Sequence, residues 1–160
     1  MKSLGIVNKQ FVTLSDYFGR LSYVKIIVDY SDEPYTEGYR WFIDTLDKPC
    51  VFYYILLMDI YPALRGKGFG RKLFMRFYNA TAPDIVLLDC GIVDGDVYDE
   101  LVVSGQSIVE WLKENVEPFW SKMGFHDINY INSNNEETIT MIYPLKEAQR
   151  LDAIYEREEM

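Results

Sequence analysis

The chain is poor in the residues that build disulfides and metal sites. It has two cysteines, Cys50 and Cys90, and one histidine, His126. Both cysteines lie inside apolar, strand-like runs, so buried free thiols are expected, not a disulfide framework or a zinc site. His126 follows Phe125 onto a late hairpin and reads as a surface residue. No apolar run reaches the ~18 residues of a membrane span. The opening Met1-Lys2-Ser3-Leu4-Gly5 lacks the apolar stretch of a signal peptide, so a cytoplasmic protein without a membrane partner is expected. Positive charge is also scarce: 16 Lys and Arg stand against 25 Asp and Glu, a formal net charge of −9. That balance argues against nucleic acid and anionic membranes, because phosphate backbones need a basic surface. It suits a cationic substrate such as an amine. No repeat, low-complexity tract or linker interrupts residues 1–160, which read as one domain.

Apolar residues make up 49% of the chain and aromatics 16%, enough for a real core. Against the acidic background one stretch stands out, Asp59-Ile60-Tyr61-Pro62-Ala63-Leu64-Arg65-Gly66-Lys67-Gly68-Phe69-Gly70-Arg71-Lys72. The apolar run 51–58 leads in and an apolar-periodic run, 73–78, leads out, which reads as strand, glycine turn, helix. Glycines at 66, 68 and 70 leave the turn without side-chain bulk, so its N–H groups can approach a ligand. They are also the unpaired donors of a helix N-terminus, where the helix dipole favours an anion. Arg65, Lys67, Arg71 and Lys72 add positive charge. The stretch reads as a phosphate or pyrophosphate cradle. It lacks the spacing of a P-loop and of a dinucleotide fingerprint.

Along the rest of the chain, strands are expected over 6–14, 21–30, 39–46 and 50–60, the last three as an antiparallel meander with 50–60 central. A turn or a single helical turn is expected over 15–20. The periodicity Leu73, Phe74, Phe77, Tyr78 predicts a helix, stopped at 81–84, and 85–90 reads as a buried strand parallel to 50–60. Residues 91–105 read as an acidic loop; Asp94-Gly95-Asp96 lacks the ligand spacing of a calcium loop. Ser104 is expected to cap a helix over 107–117, with Ile108, Trp111, Leu112 and Val116 on its core face. Pro118 restarts the chain into a short helical turn ended by Gly124. A strand over 125–131, a turn over 132–137, a strand over 138–143 and an exposed, charged helix over 145–159 complete the expectation.

Two segments carry a resemblance. Ile60-x-Pro62-x-x-Arg65-Gly66-Lys67-Gly68-Phe69-Gly70 resembles the acyl-CoA-binding motif of the GNAT superfamily of N-acyltransferases. Pro118-Phe119-Trp120-Ser121-Lys122-Met123-Gly124-Phe125 resembles the same family's aromatic-x-Lys-x-Gly-Phe segment, and the two stand in the family's order. The match spans residues 50–143. It implies an α/β (α+β) single domain, mostly antiparallel, with a splayed parallel strand pair flanked by helices. It implies acetyl-CoA as co-substrate, no metal, and direct attack by a primary amine in a ternary complex. Main-chain groups near Ile60 would pair with pantetheine and polarise the thioester carbonyl. The N–H groups from Arg65 through Gly66, Lys67, Gly68, Phe69 and Gly70 to Arg71 would hold the pyrophosphate, and Trp120 would shape the thioester pocket. The acceptor would be a small molecule or a protein, and a homodimer is compatible with the family.

The chain departs from the family in three places. Only about twenty residues precede the 21–30 strand, so the family's two early helices are short or missing, and the acidic 91–105 loop (Asp94, Asp96, Asp99, Glu100) is expected to help build the acceptor side. Trp120 stands where members often have an acid tyrosine, and an indole N–H is not a usable acid. On the strand entering the turn, Tyr54, Leu56 and Met58 should face the cleft and none is a carboxylate. Asp59 would lie on the opposite face of a regular strand and change sides only with a bulge. Asp89 on the next strand is the candidate base and Tyr54 the candidate relay. The rival expectation from these departures is a non-catalytic acyl-CoA-binding module.

Overall fold

β1 (Ser3–Asp16) and β2 (Gly19–Ser31) pair antiparallel around a two-residue connection, with Asp16 opposite Gly19 and Leu14 opposite Leu21. The expected 15–20 turn is thus present but tighter, confined to Tyr17 and Phe18, with strand on either side. Gly19 is required at the corner, because a Cβ there would run into the Asp59 carbonyl. These coordinates are a computed structural model that describes residues 2–128 and 137–159. Contacts divide the chain into two units, Met1–Val86 and Leu87–Met160.

In the first unit β3 (Cys50–Ile60) pairs antiparallel with β2 over its whole length, from Gly19 opposite Ile60 to Val28 opposite Cys50. The meander is therefore β1-β2-β3. The expected strand over 39–46 is instead α1 (Arg40–Ile43), with Phe42 and Ile43 both buried. Adjacent buried residues violate strand alternation. Both edges of β2 are taken by β1 and β3, so the intervening segment cannot pair with β2, and it meets the outer edge of β1 only at the single Ile6–Tyr35 bridge. α2 (Phe69–Thr81) lays Leu73, Phe74 and Phe77 onto β2 and β3. It ends at Ala82, which turns left-handed with φ +43°. The chain then returns beside β3, where Tyr53 N–H donates to the Ile85 carbonyl at 3.0 Å, and enters β4 (Val86–Cys90). β3, α2 and β4 thus follow one another in the strand, helix, strand order of a crossover connection.

In the second unit the strand order is β4-β6-β5. β5 (His126–Asp127) pairs antiparallel with β6 (Ile139–Tyr143), and the Ile128 N–H extends the ladder to the Thr140 carbonyl. The expected loop over 91–105 contains α3 (Gly95–Ser104). Asp94 caps it, accepting from the Asp96 N–H at 2.9 Å, and Gly105 closes it at φ +73°. Ser104 lies at the end of that helix, and its hydroxyl donates to the Leu101 carbonyl. It is Ser107 that caps α4 (Ile108–Asn115), where Leu112 is fully buried. α5 (Glu117–Lys122) follows, with Gly124 at φ +100° after it. α6 (Leu145–Glu159) packs on β5 and β6 and buries Ala148 and Leu151, so it is charged on one side and not simply exposed. The expected strand over 125–131 is described only through 128, and the 132–136 part of the expected turn lies outside the described residues.

The class is α+β, with antiparallel ladders and one parallel pair. Among the described residues no helix is long and apolar enough to cross a membrane. Because Asp94 supplies a cap that a bare loop would not need, Asp94→Ala is expected to cost about 1 kcal/mol, read as a lowered chemical-denaturation midpoint. An unchanged midpoint would mean that α3 stands without its cap.

Candidate functional site

The site in the first unit begins where β3 stops. The Tyr61 N–H donates to the Phe18 carbonyl, and Pro62–Leu64 makes one 3₁₀ turn. Arg65 then folds back. Its Nε donates to the Ile60 carbonyl at 2.9 Å, and its Nη2 lies 3.5 Å from the Asp59 carboxylate. Gly66 and Gly68 both adopt left-handed backbone, φ +78° and +83°. A Cβ at either would meet nothing within 4 Å. These glycines are therefore needed for backbone conformation, and the space above them is open.

Gly68 is the N-cap of α2, and no side chain caps that end. The first intrahelical bond runs from the Lys72 N–H to the Gly68 carbonyl. The N–H groups of Phe69, Gly70 and Arg71 are thus left without a helix acceptor at the positive end of the dipole. Beside them a groove of about 640 Å³ runs along α2, lined by Lys67, Gly68, Arg71, Lys72, Met75, Arg76 and Asn79. The Phe69 side chain is otherwise engaged: it stacks on Phe18 with centroids 4.4 Å apart, and Lys72 Nζ lies over its ring. Phe69 can serve an anion through its N–H, while its ring fastens the helix start to the β1–β2 connection. Arg76 adds a second tie, donating from Nη1 to the Ser15 carbonyl.

β3 does not alternate regularly. Its pairing steps from Ser22–Leu57 to Tyr23–Ile55, leaving Leu56 as a bulge. Opposed residues share a face, so Tyr54, Leu57 and Asp59 lie together while Met58 joins Tyr53 and Ile55. The expected facing set of Tyr54, Leu56 and Met58 is thus corrected, and Asp59 shares the face of Tyr54. α2 covers the other face, through the Tyr23 and Tyr53 contacts of Phe77. Tyr54 is half-buried and meets Tyr39 edge-on at 5.4 Å. A carboxylate on this face was invisible to alternation, since a single unpaired residue reverses the parity of everything after it.

The remaining candidates belong to the second unit. Asp89 accepts a 2.6 Å hydrogen bond from the Thr140 hydroxyl, itself almost fully buried. Trp120 is buried, edge-on to Phe119 and Phe125. Cys90 is buried and free, while Cys50 is free and only half-buried. Burial, reinforced by the negative charges of Glu117, Asp89 and Asp127, pushes the Cys90 thiol up to about 12, so it is no nucleophile near neutral pH. Among the described residues no group of three or more His, Cys, Asp or Glu could hold a metal ion.

The sequence reading passed over Glu117. Its Oε2 is buried without a hydrogen-bond partner. Burial first, then the nearby Asp127 charge, raises its pKa above the ordinary 4.5, with Lys113 opposing. A raised folded-state pKa means that folding favours the protonated acid. That stabilisation is complete below the unfolded value and is lost as pH rises through the folded one. Glu117→Gln is expected to flatten this fall, seen as a smaller decline in Tm between pH 4 and pH 7. A decline as large as wild type would show that other groups cause it.

A scan against protein-family models finds no match to this chain, and a search of curated proteins finds none either.

Proposed function

We propose that the protein binds an acyl-CoA at the head of α2 and transfers its acyl group, most simply acetyl, to a primary amine. One observation carries this: the uncapped N–H groups of Phe69, Gly70 and Arg71 stand behind two left-handed glycines, beside a basic groove, in a chain of net charge −9. Such a site suits a pyrophosphate. The motif resemblance, absent the family-level match, supplies the rest of the assignment and the GNAT-like form of the fold.

In the proposed reaction the neutral amine nitrogen attacks the thioester carbonyl carbon. The C–S bond breaks, and the proton shed by nitrogen passes to a base and finally to the departing thiolate. Backbone near Ile60 polarises the carbonyl oxygen. Tyr54 in the first unit is the candidate relay, and Asp89 in the second, which accepts from the Thr140 hydroxyl, is the candidate base.

A non-catalytic acyl-CoA-binding module is favoured by one specific feature. The single carboxylate that the bulge brings to the Tyr54 face, Asp59, lies 3.5 Å from Arg65 Nη2 and is thus already engaged in an ion pair. Thermal shift separates these readings from a fold that binds no CoA. Acetyl-CoA at 100 times its Kd should add about 2.7 kcal/mol, a Tm rise of roughly 5–10 °C for a chain of this size. No shift at saturating acetyl-CoA sinks both CoA readings. A shift without thiol release across an amine panel leaves the binding module.

A further inference from the structure

The edge strand β1 carries one cation in its middle, Lys9, and it is half-buried. Although the chain has 25 acidic residues, none within the described residues pairs with it. Its ammonium sits instead on two tyrosine faces, with Nζ 4.9 Å from the Tyr35 centroid and 5.2 Å from that of Tyr39. The ring quadrupole attracts a cation at that range.

The two rings are held differently. Tyr39 is locked edge-on between Phe52 at 5.7 Å and Tyr54 at 5.4 Å. Tyr35 is 47% exposed and donates its hydroxyl to Glu37 Oε2 at 3.2 Å. The Glu37 charge and that hydrogen bond push the Tyr35 phenol up, and an anionic acceptor on the phenol also enriches its ring electrons. One fixed ring, one adjustable ring and a carboxylate at the rim form a receptor for an alkylammonium group. The group now in it is a primary ammonium on a four-carbon stem.

The geometry points to the Tyr35–Tyr39 pair as a binding site for the primary ammonium of a small alkylamine, with Lys9 as its built-in competitor. Tyr39 abuts Tyr54, the candidate relay, so the site deepens the proposed function by naming its acceptor class, and in that respect rests on it. An incoming ammonium must displace Lys9. Its apparent affinity is therefore lowered by the fraction of molecules in which Lys9 is docked.

The test begins without CoA. Butylammonium is titrated into the full chain while the Tyr35 and Tyr39 ring resonances are followed by NMR, with n-butanol as the uncharged control. Lys9→Met keeps an apolar stem and removes the charge; it should tighten butylammonium binding about threefold, with no response to butanol. Adding Tyr35→Leu, at an exposed position, should undo that gain. Equal affinity in wild type and Lys9→Met, an equal response to butanol, or an unchanged affinity in the double variant would overturn the site. In a turnover assay Lys9→Met should lower the acceptor KM about threefold with kcat unchanged. An unaltered KM overturns the acceptor role, whereas absence of turnover with every amine strikes the proposed transfer and leaves the ammonium titration to stand on its own.

Discussion

Gly68→Glu is expected to abolish acyl-CoA binding, by about a hundredfold or more in Kd, and to leave a folded protein. Two independent costs fall on the same residue. The first is conformational: an L side chain at φ +83° costs roughly 1–2 kcal/mol. There is no steric cost, since a Cβ there meets nothing within 4 Å. The second is electrostatic. A carboxylate would sit beside the N–H groups of Phe69, Gly70 and Arg71, compete for them, and repel a pyrophosphate. Hydrogen bonds to charged groups are worth about 1.5–3 kcal/mol each, so losing even one or two reaches that factor. Gly68→Ala shares the strain but not the charge, and should retain most of the affinity. Isothermal titration with acetyl-CoA on both variants, alongside their Tm values, makes the comparison. A folded Gly68→Glu protein with wild-type affinity would refute the cradle.

The largest loss of stability is expected from Phe77→Ala, about 3–5 kcal/mol, or a Tm lower by roughly 10 °C. Phe77 is fully buried, with the rings of Tyr23, Tyr53 and Phe74 at 4.9, 5.9 and 5.8 Å. It joins α2 to both β2 and β3, so truncation leaves a cavity under the helix whose N-terminus carries the proposed cradle. Met75 is on the same helix, 39% exposed and lining the groove. Met75→Ala should move stability by no more than about 0.5 kcal/mol. Differential scanning calorimetry of the pair tests whether α2 is seated through Phe77. Equal, small losses would mean that the helix is held from elsewhere.

The glycine turn was legible because its signal is local. Gly66 and Gly68 announce left-handed backbone, and the strand before them and the helix after them follow from residues next to them in sequence. β3 was read with its observed bounds, Cys50–Ile60, because an unbroken apolar run has few alternatives. The misreadings share a different cause. The 39–46 segment is rich in aromatic and β-branched residues, yet β2 had no free edge for it. α3 carried a capping Asp94, a closing Gly105 and apolar residues at 97, 98 and 101, but its acidity masked the period.

Residue identity alone determined the glycine turn and its positive charge: three glycines and four basic residues heading a helix are a property of consecutive positions, and short-range backbone preference is enough to express it. What only the tertiary structure decided is which side chains share a face with that site. The bulge at Leu56 moves Asp59 to the side of Tyr54, the ladder from β1 to β3 turns a would-be strand into α1, and the packing of Tyr39 on Tyr54 sets a fixed ring beneath Lys9. Each depends on a register between segments distant in the chain, and register is set by the summed burial of many residues, which no single stretch contains.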